Sequence, residues 1–143
     1  MKRLNFSNFF TKNTNATKLH LTYNNIQLST TEHSKFLGLI INNSLSWKSH
    51  IVRKIPKLNT SAYLIRSLKQ LLNLETLKAY FSFVHSILSY GIIFWGISNY
   101  SKNIFRIQKR IIRIIMNVDG RTSCRGLFNQ LGILPLSLNM YFL

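Results

Sequence analysis

The chain contains very few acidic residues. Among its 143 residues only Glu32, Glu75 and Asp119 are acidic, against 19 lysines and arginines, which gives a formal net charge of +16. The three carboxylates lie far apart along the chain. This scarcity argues against active sites built on paired carboxylates and against two-metal chemistry, in which carboxylates hold the ions. The sequence therefore predicts no catalytic residue, no metal and no cofactor, and we expect that the chain by itself is not an enzyme.

Cysteine is equally scarce, and a long apolar leader is missing. Cys124 stands alone, which excludes a disulfide framework and a zinc site built from thiolates. The four histidines do not show the spacing of metal ligands. The first residues, MKRLNF, include two basic residues but no sustained apolar run, so they do not predict a secretory signal peptide. We expect an intracellular protein, in the nucleus or the cytoplasm, that is not secreted.

Positive charge is what the sequence has in excess. The length leaves room for one domain, or one domain with a tail, and 46% hydrophobic residues are enough for a core. A small domain with this much charge repels itself unless a polyanion neutralises it. Nucleic acid is the leading candidate and an anionic membrane is the second. No small-molecule substrate is predicted.

The first 45 residues carry strand signals. Three short apolar or alternating segments predict strands: 4–10, 18–28 and 36–41. Asn24 and Asn25 supply the turn of a hairpin within the second segment, and Gly38 interrupts the third. We therefore predict a small antiparallel sheet within residues 1–45.

Helical periodicity begins after residue 45. Four helices are predicted: 47–72, 74–95, 102–116 and 123–131. Pro56 predicts a kink or a break in the first helix, Asn73 is the expected N-cap of the second, and Gly132 is the expected terminator of the fourth. The predicted fold class is α+β, in which the sheet is followed by a mostly α-helical, thumb-like bundle over residues 46–143.

The third predicted helix carries the most informative pattern. Lys102, Arg106, Lys109 and Arg113 are spaced so that they form one stripe, roughly 60° wide, and Arg110 flanks it. Isoleucines occupy the other side of the helix, which contains no acid. This pattern favours a helix that packs its isoleucines inward and follows a phosphate backbone. An ordinary solvated face is the alternative, although such faces usually mix charges of both signs.

Residues 79–98 contain no charged residue. The stretch is long enough to span a bilayer, which needs about 20 apolar residues. Serines, glycines and His85 are scattered through it, however, so the favoured interpretation is the buried centre of a helical bundle. The alternative function for the chain is that of a small basic membrane-associated helical protein, anchored by residues 79–98.

Five short motifs occur in a fixed order over about 100 residues. They are KFLG at 35–38, LSWK with HI at 45–51, HSILSYGIIFWG at 85–96, QKRIIRII at 108–115, and CRGLF with LGILPL at 124–136. Each is a weak signal alone, and the ordered set is a strong one. Together they resemble the part of jockey-like non-LTR retrotransposon reverse transcriptases that follows the catalytic palm. The sequence departs from that pattern at Asn42, where the family commonly has Asp.

The resemblance implies an architecture and a role. Residues 1–45 would be the last palm strands and the primer-grip turn, and residues 46–143 the helical thumb with the segment after it. The family's catalytic motifs, including a Tyr-X-Asp-Asp metal site, are not in this sequence, so we expect a truncated fragment of an RNA-directed DNA polymerase. Its expected role is sequence-independent binding of an RNA–DNA duplex, and the missing palm of a parent polymerase is a further candidate partner.

The resemblance and the basic stripe together suggest the binding residues. Residues 36–38 are expected to form a tight turn at the primer end, where Gly38 allows close backbone approach. A thumb holds a duplex by its shape and its phosphates, which requires positive charge and no base-specific contact. The expected nucleic-acid-binding residues are Lys35, Phe36, Leu37, Gly38, Trp47, Lys48, Lys102, Arg106, Lys109, Arg110 and Arg113.

Overall fold

The computed structural model describes residues 5–7, 9 and 20–136, and its fold class is α+β, as predicted. Within these residues six short strands come first: β1 (Asn5–Phe6), β2 (Thr22–Tyr23), β3 (Ile26–Gln27), β4 (Ser29–Thr30), β5 (His33–Phe36) and β6 (Leu39–Asn42). The helices that follow are α1 (Lys48–Leu68), α2 (Leu74–Ser89), α3 (Ile92–Trp95), α4 (Ser101–Met116) and α5 (Cys124–Leu131). The chain divides into two compact units, residues 1–50 and 51–143, and each is described by itself.

The described strands form three separate two-stranded pairs, so the prediction of a single antiparallel sheet is wrong in this respect. The β2–β3 and β5–β6 pairs are antiparallel, whereas β1 and β4 pair in parallel. The strands have two to four residues each, and most side chains of β2, β3, β4 and β5 are exposed, so these strands offer no continuous apolar face on which a larger sheet can form. Leu4, Asn8, Phe10 and residues 18–19 of the predicted strands lie outside the described residues.

Both hairpin turns have the same backbone geometry. Asn24 and Asn25 join β2 to β3 with φ angles of 48° and 59°, which confirms the hairpin predicted there. Leu37 and Gly38 join β5 to β6 with φ angles of 46° and 78°. Two successive positive φ angles are typical of the type I′ turn, whose twist matches that of paired strands. The run at 36–41, predicted as one strand, is therefore divided by a turn: Phe36 ends β5 and residues 39–41 lie in β6. The tight turn expected at residues 36–38 is confirmed.

Asn42 connects the β5–β6 hairpin to the start of α1. Its side-chain Nδ2 donates hydrogen bonds of 2.8 Å to the hydroxyls of Ser44 and Ser46, and its Oδ1 accepts one of 2.9 Å from the Ser46 amide. The amide of Ile40 donates to Nδ1 of the buried His50, at 3.3 Å. A carboxylate at position 42 would accept from the Ser46 amide but would have no N–H to donate.

Helix α1 continues through Pro56, so of the kink or break predicted there, the break does not occur. Proline removes one N–H from the helical hydrogen bonds and strains the preceding turn. Ile51, Leu58, Ala62 and Ile65 lie on one side of this helix and are almost completely buried. We attribute the continuity of α1 to that buried face, because tertiary packing supplies most of the stability of helices in proteins.

Helix α2 begins as predicted and ends six residues early. The side chain of Asn73 accepts a 2.9 Å hydrogen bond from the amide of Thr76, which confirms the N-cap. The predicted end at Trp95 is wrong, because the chain leaves the helical conformation at Tyr90 and Gly91 takes a left-handed φ of 67° before α3 begins. Residues 79–98 therefore do not form one helix. Among the described residues, no helix combines the length and the apolar character needed to cross a membrane.

Lys54 of α1 caps the C-terminal end of α2. Its Nζ donates hydrogen bonds of 3.1 Å to the carbonyls of Ile87 and Tyr90, and it lies 4.7 Å from the centre of the Trp95 ring. Burial of the amine lowers the pKa of Lys54 from 10.5 to about 8, because the charged form loses part of its hydration. Desolvation outweighs the two carbonyls and the indole, which favour the charged form.

This pKa predicts a pH dependence of stability. The folded state holds the Lys54 proton less tightly than the unfolded chain, so unfolding takes up protons between about pH 8 and 10.5. The contribution of Lys54 to the free energy of unfolding should therefore rise across that window and stay constant below it. Chemical denaturation at several pH values gives the free energy of unfolding of the wild type and of Lys54→Met, and the difference between the two values at each pH measures this contribution. Curves that run parallel from pH 8 to 10.5 would contradict it.

The segment after α5 returns to α4. Gln108 of α4 is completely buried, and its Oε1 accepts a 3.1 Å hydrogen bond from the amide of Leu136, while its Nε2 donates one of 3.4 Å to the carbonyl of Leu134. Gly132 ends α5 with a left-handed φ of 64°, as predicted. Residues 134–136 are thus fixed to the helical unit by a buried amide.

Candidate nucleic-acid interface

Helix α4 has the two faces that its sequence predicts. Its buried residues are Ile104, Gln108, Ile111, Ile112 and Ile115. On the opposite side Lys102 and Arg106 are exposed, while Lys109 and Arg113 are half-buried. These four residues define a surface that we term the α4 cationic face, and the exposed Arg110 lies at its edge. The structure therefore brings together all five residues that the sequence predicted for this helix.

Neighbouring groups orient the half-buried members of the α4 cationic face. The Nζ of Lys109 lies 4.3 Å from the centre of the Phe105 ring, a distance typical of a cation–π contact. Nε of Arg113 donates a 2.8 Å hydrogen bond to the carbonyl of Thr122, in the turn between α4 and α5. Both contacts restrict the side-chain stem and leave the positive charge in place.

Arg106 and Arg110 of α4 have neutral hydrogen-bond partners. Arg106 lies 3.5 Å from the side-chain oxygen of Asn103, and Arg110 lies 3.5 Å from that of Asn59. Within the described part of the chain, the one ion pair joins Lys78 to Glu75 on α2, at 3.0 Å. No carboxylate in that part of the chain therefore forms an ion pair with the α4 cationic face. A cluster of positive charges without acidic partners is typical of a surface that binds a polyanion.

The remaining predicted residues belong to the first unit. Phe36 and Leu37, at the tip of the β5–β6 hairpin, are 61% and 71% exposed, and Lys35 and Gly38 beside them are exposed as well. A hairpin tip that carries two exposed apolar side chains and a lysine is available for contact with a ligand.

Trp47 and Lys48 lie where α1 begins. Trp47 has a φ of 59°, is half-buried, and packs edge-on against the His50 ring with 6.2 Å between ring centres. Lys48 is exposed. Trp47 therefore helps to form the start of α1, and Lys48 is the more accessible of the two predicted contacts. Across the described residues, no group of three or more His, Cys, Asp or Glu side chains is placed to hold a metal ion.

Comparison with protein-family models, curated proteins and solved structures found no match to this chain. The resemblance to reverse transcriptases accordingly rests on the five ordered motifs. The α4 cationic face follows from the charge and exposure of the α4 side chains and does not depend on that resemblance.

Sequence reasoning missed two cations that lie close to this face. Arg66 and Lys69, from the C-terminal end of α1, line a cavity of about 470 Å³ together with Arg110 and Arg113 of α4. The spacing of three residues within each pair is visible in the sequence and places each pair on one side of its helix. The sequence does not reveal that α1 and α4 approach each other at this point, so the two pairs remained unconnected.

Proposed function

We propose that this chain is a non-catalytic portion of a non-LTR retrotransposon reverse transcriptase and that it binds an RNA–DNA duplex without sequence preference. The α4 cationic face is the observation that carries the proposal. Phosphate contacts fix the position of a duplex and do not read its bases, so a row of lysines and arginines without acids suits this role. The five motifs support the family assignment.

The dimensions of the α4 cationic face suit a phosphate backbone. Lys102 and Arg113 are eleven residues apart on a regular helix, which corresponds to about 16 Å along its axis. One strand of a duplex presents about five phosphates over that distance. The four cations of this face are therefore similar in number to the phosphates that one strand presents along it. In this proposal the exposed tip of the β5–β6 hairpin contacts the primer end, and Lys48 adds a phosphate contact.

The membrane alternative has less support. It assigned an anchor to residues 79–98, and the chain leaves the helical conformation within that stretch, at Tyr90 and Gly91. The cations of α4 are arranged in a row, which suits the regular spacing of charges on a duplex. We therefore propose the nucleic-acid role in preference to the membrane role.

Equilibrium binding to labelled RNA–DNA hybrids tests the proposal. Two hybrids of equal length and unrelated sequence should bind with equal affinity, because no base contact is involved. Four phosphate contacts predict that log affinity falls with log salt with a slope of roughly −3 to −4 from α4 alone. An affinity that does not respond to salt, or a strong preference for one of the two sequences, would contradict this function.

Primer extension provides a separate prediction about activity. Polymerases hold their magnesium ions with carboxylates, and the described acids of this chain form no cluster that holds a metal. We expect the purified chain to incorporate no nucleotide on a primed template in the presence of magnesium. Template-dependent incorporation that a chelator abolishes would show that the chain is catalytic.

A further inference from the structure

The cavity between the C-terminal ends of α1 and α4, termed the α1–α4 cavity, is strongly cationic. Its lining contains four positively charged side chains: Arg66, Lys69, Arg110 and Arg113. The rest of the lining is neutral, and the nearest acid in the sequence, Asp119, is not part of it. The carboxylate of Asp119 accepts a 2.7 Å hydrogen bond from the amide of Gly120.

The cations of the α1–α4 cavity have neutral partners. The amine of Lys69 donates to the side-chain oxygen of Asn117, Arg113 donates to the carbonyl of Thr122, and Arg110 lies near the side-chain oxygen of Asn59. Each contact holds a side chain in position and leaves its charge unneutralised. Because every one of these acceptors is neutral, none of them substitutes for an anion.

The partial negative charges at the C-terminal ends of α1 and α4 offset only part of the positive charge of the cavity. Basic residues in the last turn of a helix interact favourably with the partial negative charge of its carbonyl end, and Arg66 and Arg113 occupy the last turns of α1 and α4. Each helix end is equivalent to about half a negative charge, so the two ends offset about one of the four positive charges. A surplus of about three positive charges remains among the lining residues, or about two when the carboxylate of Asp119, between the lining residues Val118 and Gly120, is counted as well.

We infer that the α1–α4 cavity binds a small anion that carries several phosphate groups. Its volume of about 470 Å³ lies within the range of about 300–1,000 Å³ typical of small-molecule sites. Three of the four cations are arginines, whose planar guanidinium groups donate two parallel hydrogen bonds to phosphate oxygens. Two helices supply one pair each, so the site approaches a polyphosphate from two sides. This inference does not depend on duplex binding by α4.

Tripolyphosphate is the probe for this site, and calorimetric titration of the full chain at about 0.15 M salt measures its binding. The test variant is Arg66→Gln with Lys69→Gln. The matched control is Arg53→Gln with Lys57→Gln, which removes two positive charges from exposed positions of α1 outside the cavity. The test variant should lose affinity by about tenfold or more, because charge-assisted hydrogen bonds are lost, and the control should change by about twofold or less.

Three results would overturn the inference. They are a wild type that does not bind tripolyphosphate, equal losses in the test variant and its control, and a test variant that folds normally and retains full affinity. Circular dichroism establishes the folding of both variants. If the test variant does not fold, the single change Arg66→Gln replaces it, because Arg66 is exposed and its loss leaves the buried face of α1 intact.

Two single strands of one sequence identify the source of the phosphates. One carries a 5′-triphosphate and the other a 5′-hydroxyl. A wild-type preference for the triphosphate strand that disappears in the test variant assigns the cavity to a strand end. Equal binding of the two strands, with tripolyphosphate binding retained, assigns it to a free anion. A wild-type chain that binds tripolyphosphate but does not bind an RNA–DNA duplex would refute the proposed function and leave this inference standing.

Discussion

Replacing Arg106 and Lys109 by alanine should weaken the binding of an RNA–DNA hybrid by on the order of 50-fold at about 0.1 M salt. Each phosphate contact contributes about 0.9 to the slope of log affinity against log salt, so the slope should become shallower by about 2. The loss should be the same for hybrids of unrelated sequence, because the two side chains contact the backbone. Fluorescence anisotropy at several salt concentrations measures both quantities.

The matched control for this pair is Arg53→Ala with Lys57→Ala. These exposed residues of α1 lie outside the α4 cationic face and the α1–α4 cavity, and their replacement lowers the net charge by the same amount. Lys109 contacts the Phe105 ring, so its replacement should also cost about 0.5–1 kcal/mol of stability, which denaturation of the free protein reveals. Equal effects of the two double substitutions would indicate non-specific electrostatic attraction. An unchanged slope would contradict the proposal that α4 contacts the phosphate backbone.

Replacing Phe81 by alanine should lower the free energy of unfolding by about 3–5 kcal/mol. Phe81 is 0% exposed and lies on the buried face of α2 with Val84 and Leu88. Truncation at such a site removes buried apolar surface and leaves a cavity that the surroundings fill only in part. For a small unit this is a large share of a total stability that is typically about 5–15 kcal/mol.

Phe83 is the matched control for Phe81, because the same substitution is made two residues away on the same helix. Phe83 is 62% exposed, so Phe83→Ala should change the free energy of unfolding by about 0.5 kcal/mol or less. Urea denaturation followed by circular dichroism compares the two variants with the wild type. Similar losses in both would mean that α2 does not bury the face described above.

Much of the helical unit could be predicted from periodicity alone. A helix turns about 100° per residue, so the spacing of residues along α4 determines that its isoleucines share one face and its cations the other. This assignment does not depend on which elements pack against the helix. Asn73 could be identified as a cap because its side chain satisfies an amide that any helix start leaves unpaired. These features are local, and local chemistry determines them.

The wrong predictions concern places where local signals compete. Gly91 lies within an apolar pattern that favours one long helix, and its left-handed backbone divides α2 from α3. Leu37 is a poor residue for a positive φ, so local signals predicted one strand over residues 36–41, and only the family resemblance implied the turn that Leu37 forms with Gly38. The α1–α4 cavity depends on which helices are neighbours, and tertiary packing decides that.

The buried amide of Gln108 also determines how far the chain can be shortened. Helix α5 ends at Leu131, so a domain boundary drawn from secondary structure alone would stop at Gly132. Removal of residues 133–136 would leave both polar atoms of Gln108 in the core without the Leu134 carbonyl and the Leu136 amide. An unsatisfied buried polar group costs about 1–3 kcal/mol, so the smallest version of the helical unit that keeps its stability ends at or beyond Leu136.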